Sequence, residues 1–277
     1  MEVDVTVGGL LMLAGALVAA GLVTGFLSGL LGIGGGGILV PVLYETFGII
    51  GVDPSIRMHL ALGTSLAVII PTSLRSFYSH RAKGGVDTAL LWRLGPWMVL
   101  GVVFGTLYAS SSTGDGLKWI WVIFGNLLAL KLALGRDDWR LGTDLPKPPV
   151  VEIYGLLVGF VAVLMSIAGG SFIVAFMTLY NRPLLQAVAT SAGLGPMVAI
   201  PGALGLAIAG WGHPLLPPLS LGYVNVLGAA VIIPASVLAA PIGVSMAHGL
   251  PKRKLELLFA AFMAAVAMRF AISLIYD

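Results

Sequence analysis

The sequence predicts an all-α polytopic membrane protein made of two inverted-topology repeats, each a glycine-broken helical hairpin followed by three transmembrane helices. Composition, long uncharged segments and internal repetition predict this fold. Of the 277 residues, 58% are hydrophobic and 10% are charged, whereas an ordinary soluble domain carries about 25% charged residues. So few charges do not cover a globular surface in water, which argues against a soluble enzyme. The chain contains no cysteine, which excludes disulfides and thiolate chemistry.

The first half of the chain provides one hairpin and three helices. Residues 5–44 contain no Asp, Glu, Lys or Arg. A helix of that length measures about 60 Å, which is enough to cross a bilayer core of about 30 Å twice. Three further apolar runs follow at 58–74, 94–114 and 117–134, and each predicts one crossing.

The most polar stretch, residues 135–149, separates the two halves. We therefore expect a first repeat over 1–135, a linker over 136–150 and a second repeat over 151–277. The uncharged run at 153–181 gives about 44 Å of helix, which is long for one crossing and short for two, so it fits a re-entrant or tilted hairpin. Three more helices are expected after this hairpin. The uncharged run at 183–251, which is broken by a turn at 211–218, provides two of them, and the apolar run at 255–276 provides the third.

The two halves share a pattern of small residues. Residues 25–40 align with residues 159–174 without a gap, at an offset of 134. The pair Thr64-Ser65 corresponds to Thr190-Ser191, and a proline follows each pair. This shared order predicts a duplication.

Basic residues predict how the halves are oriented. They cluster at 75–83, 136–147 and 252–254, whereas the loops at 110–116 and 211–220 contain no Lys or Arg. Placing the basic loops in the cytoplasm makes equivalent helices run in opposite directions. The halves are then inverted, and both termini lie outside.

Inverted repeats with interrupted helices are typical of secondary transporters, which bind their substrate where the broken helices meet. The breaks are predicted at Gly32–Gly37 and Ala168–Ser171, because glycine allows positive φ and close approach of a ligand. Half-helix N-termini favour anions, and nearby hydroxyls add donors. The alternative is that these small residues only let helices pack closely. The predicted substrate-binding residues are Gly34, Gly35, Gly36, Gly37, Thr64, Ser65, Gly169, Gly170, Ser171, Thr190 and Ser191.

Three basic residues, Lys131, Arg269 and Arg57, are candidates for balancing the charge of a bound anion. An offset of 138 places Lys131 on Arg269. Snorkelling to lipid headgroups is the alternative for basic residues near helix ends. Glu45 and Glu152 flank the hairpins and are the nearest candidates for proton coupling, with placement at the interface as the alternative. We expect no catalytic residue, metal or cofactor.

Two segments of the first half resemble the signature of a known family. The run from Gly25 to Pro41, followed by Gly63-Thr64-Ser65, is similar to the signature of the TauE/SafE sulfite exporter family. The length and the two-half plan are similar as well. The second half departs from the pattern, since Ala168-Gly-Gly-Ser171 replaces a fuller glycine run. The resemblance implies export of sulfite or small organosulfonates such as sulfoacetate across a bacterial inner membrane.

The residues themselves predict a transporter of a small anion, and the resemblance adds the sulfur oxyanion. The expected partners are the lipid bilayer, an anionic substrate and a coupling ion, proton or sodium; a homodimer stays open, and no nucleic acid is expected. Import or export of another solute such as a carboxylate is the alternative. A remote alternative is an intramembrane enzyme, for which Ser28 and His59 are the one pair that the sequence offers as nucleophile and base.

Overall fold

The structure is a computed structural model, and it describes residues 7–32, 35–82, 85–135, 140–246 and 252–276. The described residues form ten α-helices and one short antiparallel β-hairpin. Their bounds are α1 Val7–Leu31, α2 Gly36–Ile49, α3 Pro54–Arg81, α4 Thr88–Ser111, α5 Gly114–Leu134, α6 Val150–Met165, α7 Gly170–Leu179, α8 Leu184–Ala209, β1 Ser220–Leu221, β2 Val224–Asn225, α9 Val226–Met246 and α10 Lys252–Tyr276.

Seven of these helices are long and apolar enough to cross a membrane: α1, α3, α4, α5, α8, α9 and α10. Large apolar side chains such as Leu107, Leu204 and Leu238 lie on their outer surface, where a bilayer rather than water is the favourable surrounding. The prediction of an all-α polytopic membrane protein is confirmed.

Each half consists of a hairpin and three long helices, as the sequence predicts. The hairpins are α1–α2 and α6–α7, and the long helices are α3–α5 and α8–α10. The first hairpin differs from the expectation of two full crossings. Because α1 takes 25 residues, α2 retains 14 and is about 21 Å long. With 10 residues, α7 is shorter still, so the returning arm of each hairpin ends short of a full crossing.

Equivalent helices of the two halves lie antiparallel where they touch. In the pair α3/α8, a Cβ added at Gly195 would lie 2.8 Å from Ser73, and one added at Gly202 would lie 3.1 Å from Leu66. In the pair α5/α10, Lys118 Nζ donates to Ser273 Oγ at 2.9 Å. An inverted repeat produces this arrangement. The duplication and its boundaries stay predictions.

The hairpins pack against the opposite half. Helix α1 lies along α9, and a Cβ at Gly25 would come within 2.0 Å of the Ser236 carbonyl oxygen. Helix α6 lies along α4 in the same way, with Gly159 against the Met98 carbonyl at 2.1 Å. Glycine is required at these points because any side chain would push the two backbones apart.

Helices α3 and α8 occupy the centre. In the most apolar stretch of each helix, 67% of the residues are buried in α3 and 56% in α8. The buried share is 39% in α5 and in α10, which lie at the periphery. Because α3 and α8 carry the two Thr-Ser pairs, the fold brings both pairs into the interior, next to the hairpin tips.

Candidate functional site

The first hairpin breaks at its glycines. Gly32 and Gly35 have φ of +67° and +73°, a left-handed conformation that glycine adopts without strain. Helix α2 then starts at Gly36, and its N-cap residue, Gly35, has no side chain with which to cap the helix. Gly34 lies outside the described residues, so its assignment stays a prediction.

The second hairpin breaks at the equivalent place. Ser166, Ala168 and Gly169 have φ of 51°, 35° and 71°, and α7 starts at Gly170, again without a side-chain cap. The sequence predicted the break at Ala168–Ser171 but did not predict left-handed backbone at Ala168 or a break beginning at Ser166, since residue type does not mark them. The gapless alignment of the halves is the signal that could have found them, because Ser166 corresponds to Gly32.

The two breaks meet inside the molecule. A Cβ built at Gly36 would lie 1.4 Å from the Ser166 carbonyl oxygen, so the start of α2 rests directly on the second break. Ser166 Oγ donates to the Leu62 carbonyl of α3 at 3.4 Å. Ser191 Oγ, from α8, donates to the Gly32 carbonyl at 3.3 Å. Each break therefore touches one central helix.

Three buried hydroxyls near the breaks lack a hydrogen-bond partner among the described residues: Ser65 Oγ, Ser171 Oγ and Thr24 Oγ1, whose side chain lies against Gly35. Ser65 is 0% exposed and Ser171 is 4% exposed. Ser171 is the second residue of α7, and Ser65 lies one turn along α3 from Leu62. A buried hydroxyl without a partner is costly, and a bound oxyanion would satisfy it.

The two threonines hold neighbouring helices instead. Thr64 Oγ1 accepts the backbone N–H of Asn225 at 2.9 Å, and Thr190 Oγ1 accepts that of Asp87 at 2.9 Å. The side chains of Asn225 and Asp87 in turn accept the backbone N–H groups of Gly228 and Leu90, in the first turns of α9 and α4. Both threonines thus bond between parts of the chain, as hydroxyl side chains in membrane helices commonly do. Their contact with substrate stays a prediction.

The three candidate counter-charges lie away from the breaks. Arg57 donates to the Val52 carbonyl at 2.8 Å and lies 5.4 Å from the centre of the Tyr44 ring, so it secures the connection between α2 and α3. Lys131 and Arg269 instead line two separate cavities.

One cavity, of about 650 Å³, lies at the linker end between α5, α7, α8 and α10; its lining includes Lys131, Arg140, Arg182 and Glu256. The other, of about 630 Å³, lies between α1, α2 and α10 and is mainly apolar, with Arg269 and Glu45 in its wall. Arg269 Nε lies 3.1 Å from Glu45 Oε1.

The two acids considered for proton coupling are both paired. Glu45 is held by Arg269, and Glu152 Oε1 accepts from Arg93 Nε at 2.9 Å. A basic residue that the sequence analysis did not single out is Lys118, which is 4% exposed and lies 3.2 Å from Asp115. Its position inside an apolar run was the signal that could have identified it.

The pair considered for intramembrane catalysis is far apart. Ser76 Oγ donates to the Ser28 carbonyl at 3.5 Å, so Ser28 lies beside the far end of α3. His59 precedes Ser76 by 17 residues on that helix, which is about 26 Å along its axis. The structure does not bring the two side chains together.

Comparison with known proteins gives one family. The profile of the sulfite exporter TauE/SafE family matches residues 17–270. A probable membrane transporter protein of Haemophilus influenzae is 33% identical over 90% of this chain and 94% of its own length. Probable membrane transporter proteins of Methanocaldococcus jannaschii and Bacillus subtilis are 23% and 27% identical, over 93% and 94% of this chain and 95% and 97% of their own lengths. No solved structure matches.

Proposed function

The chain belongs to the TauE/SafE sulfite exporter family, and on that premise we propose that it is a secondary transporter of small sulfur oxyanions. The proposed cargo is sulfite or an organosulfonate such as sulfoacetate, exported across the bacterial inner membrane. Relatives named as membrane transporters along nearly the whole chain support transport rather than catalysis. The nature of the cargo rests on the family and on the chemistry of the hairpin breaks.

One observation carries the proposal: two half-helices begin, without side-chain caps, where the hairpin breaks touch. Gly36 opens α2 and Gly170 opens α7. The first backbone N–H groups of a helix and its partial positive charge favour an anion. Irregular backbone at membrane depth is tolerated where it is covered by protein or lines a cavity, and here the opposite half covers it.

The donor set suits an oxyanion that accepts from several directions. Sulfite and sulfonates have three acceptor oxygens. Two helix starts from opposite halves, with the unpartnered Ser65 and Ser171 hydroxyls, provide donors from more than one side. A carboxylate has two acceptor oxygens in one plane and would use fewer of them. A carboxylate is therefore the less favoured cargo, and it is the alternative to a sulfur oxyanion.

Sidedness follows from the charges of the loops. The linker contains Arg136, Arg140 and Lys147, and α10 begins with Lys252-Arg253-Lys254, whereas the loop between α4 and α5 contains no Lys or Arg. By the positive-inside rule the linker face is cytoplasmic, and both termini then lie outside.

The test is flux in liposomes containing the purified protein, with sulfite, sulfoacetate, taurine, sulfate and acetate as cargo. We expect sulfite or sulfoacetate to move at least tenfold faster than acetate. Empty liposomes correct for leakage. Acetate moving fastest would replace the sulfur oxyanion by a carboxylate, and no movement of any of the five would reject the proposed cargo class.

A further inference from the structure

The apolar cavity between α1, α2 and α10 contains one pair of opposite charges. Its volume is about 630 Å³, and among the described residues that line it only Glu45 and Arg269 are charged. Arg269 Nε lies 3.1 Å from Glu45 Oε1, and Arg269 Nη2 donates to Glu45 Oε2 at 3.4 Å. About half of each side chain is exposed, and a guanidinium has five N–H donors. Both groups can therefore bind a further polar partner.

The pair lies close to the ends of its two helices. Glu45 is four residues before the end of α2, and Arg269 is seven residues before the end of α10, which is about 6 Å and about 10 Å along the helix axes. The end of α2 is level with the start of α3, since a Cβ built at Gly48 would lie 3.0 Å from Arg57 Nη1. The headgroup layer on each side of a bilayer is about 5–8 Å thick. The pair is therefore placed where headgroups meet hydrocarbon chains.

The cavity opens on the side of the helix bundle. Six of its lining residues are exposed: Met12, Ala16, Glu45, Ile49, Ala265 and Arg269. Two of its walls, α1 and α10, are peripheral helices, with 33% and 39% of their most apolar stretches buried. A lateral opening between membrane helices faces lipid.

Towards the centre of the molecule, α2 and α10 close on each other. A Cβ built at Gly37 would lie 3.0 Å from Phe259 and 3.2 Å from Met263, so side chains of α10 fill the space beside the first turn of α2. The cavity therefore does not continue along α2 to the hairpin break, and its occupant enters from the bilayer.

We infer that this cavity binds a phospholipid whose zwitterionic headgroup carries a primary ammonium, namely phosphatidylethanolamine. The phosphate accepts N–H groups of Arg269, and the ammonium donates to the Glu45 carboxylate. An acyl chain lies along the apolar wall, where Ala265 and Phe262 are one and two turns deeper than Arg269. This site does not depend on the proposed cargo.

The ion pair distinguishes this lipid from the other common headgroups. Phosphatidylcholine has no N–H group to donate to Glu45. Phosphatidylglycerol has no cation, so its phosphate would approach Arg269 beside an unbalanced carboxylate. The complementary headgroup has one anion and one cation, and phosphatidylethanolamine provides both together with N–H donors.

The first experiment compares three phospholipids with identical acyl chains, binding to the purified full chain by native mass spectrometry. Charge-assisted hydrogen bonds to both members of the pair should make phosphatidylethanolamine bind at least about threefold more tightly than phosphatidylcholine or phosphatidylglycerol. A smaller ratio would overturn the headgroup assignment. Glu45→Gln should at least halve the ratio to phosphatidylcholine, and a smaller effect would overturn the role of Glu45.

Two charge controls accompany Glu45→Gln. Glu152→Gln removes a carboxylate from the ion pair with Arg93, which is not part of the cavity, and should leave the ratio unchanged. Three acids that flank α1 and α10 in the sequence, Glu2, Asp4 and Asp277, lie outside the described residues. Neutralising these three together should also leave the ratio unchanged. Loss of the preference in that triple variant would overturn the assignment to Glu45.

A variant that keeps both charges tests the apolar wall and replaces Glu45→Gln if that variant does not fold. Ala265→Phe puts a ring into the cavity and should weaken binding of all three lipids at least about threefold, because it occupies the volume of an acyl chain. Met268→Phe is the matched control, since Met268 is exposed on the same helix and does not line the cavity. Equal affinities in Ala265→Phe and Met268→Phe would overturn the site.

The second experiment measures thermal unfolding in detergent and separates the lipid from its soluble headgroup. A ligand that binds only the folded chain raises the unfolding midpoint. Saturating phosphatidylethanolamine should raise it at least about 3 °C above the value in phosphatidylcholine, and glycerophosphoethanolamine, which lacks acyl chains, should raise it by less than about 1 °C. A smaller shift with the lipid would overturn the site, and an equal shift with both compounds would replace the lipid by a soluble phosphate ester.

Discussion

Replacing Gly36 by alanine tests whether the contact between the two hairpin breaks matters for transport. The added methyl group would lie 1.4 Å from the Ser166 carbonyl oxygen. Because a Cβ does not approach closer than about 3.0 Å, the start of α2 and the second break must separate by about 1.6 Å. The neighbour is a backbone carbonyl, so no side-chain rotation relieves the overlap.

Overpacking of this kind costs about 1–3 kcal/mol. Since about 1.4 kcal/mol is a factor of ten in an equilibrium, conformations that keep the breaks in contact should become roughly 5 to 150 times rarer. If transport uses those conformations, we expect sulfite flux to fall at least fivefold. The midpoint of thermal unfolding should fall as well.

Gly15→Ala is the matched control, since it lies in the same hairpin, within α1, and gains the same helix propensity. Its methyl group would meet no atom within 4 Å. We expect Gly15→Ala to retain at least half of the flux. Flux and thermal midpoint are measured on both variants after confirming equal yields in the membrane. Wild-type flux in Gly36→Ala would refute the reasoning.

Three further outcomes are expected. Thr64→Val should lower the free energy of unfolding by about 1–3 kcal/mol, because the buried N–H of Asn225 loses its acceptor; an unchanged unfolding midpoint would contradict this. Cysteines placed at Ser112 and Lys254 should react with a membrane-impermeant reagent from opposite faces of the membrane; labelling of both from one face would contradict the inverted topology. The pKa of Asp53 is lowered because its carboxylate accepts hydrogen bonds from the hydroxyl and the backbone N–H of Ser55. The ionised carboxylate therefore stabilises the fold above the ordinary pKa of the group, near 3.8. This stabilisation is lost as the pH falls through the lowered pKa. Relative to Asp53→Asn, the wild-type thermal midpoint should therefore be higher at pH 6 and lose that advantage on acidification.

The sequence predicted the fold well because the signals were local. Runs without charge mark the helices, and positive φ at Gly32, Gly35 and Gly169 follows from residue type. The lengths of the hairpin arms were less predictable, since they depend on where the backbone turns within a uniformly apolar run. Ser166 is an example, because its left-handed backbone conformation depends on its tertiary surroundings and not on its residue type.

The candidate site was predicted less completely, because its contacts join distant parts of the chain. The sequence shows Thr64 and Thr190 as equivalent residues but does not show that each accepts a backbone N–H from another helix. Likewise, Glu45 and Arg269 are 224 residues apart, and their pairing depends on how α2 and α10 are placed.

The close packing of α1 on α9 has a consequence for biosynthesis. The glycine face of α1, at Gly21, Gly25 and Gly29, meets its partner surface at residues 232–244, so about two hundred residues must be synthesised before the two surfaces can join. Until then the glycine face of α1 lacks its partner helix and is in contact with lipid. Neither half of the chain alone contains both of the surfaces that pack together. Two separately expressed fragments should therefore accumulate stably only when they are produced together in one cell.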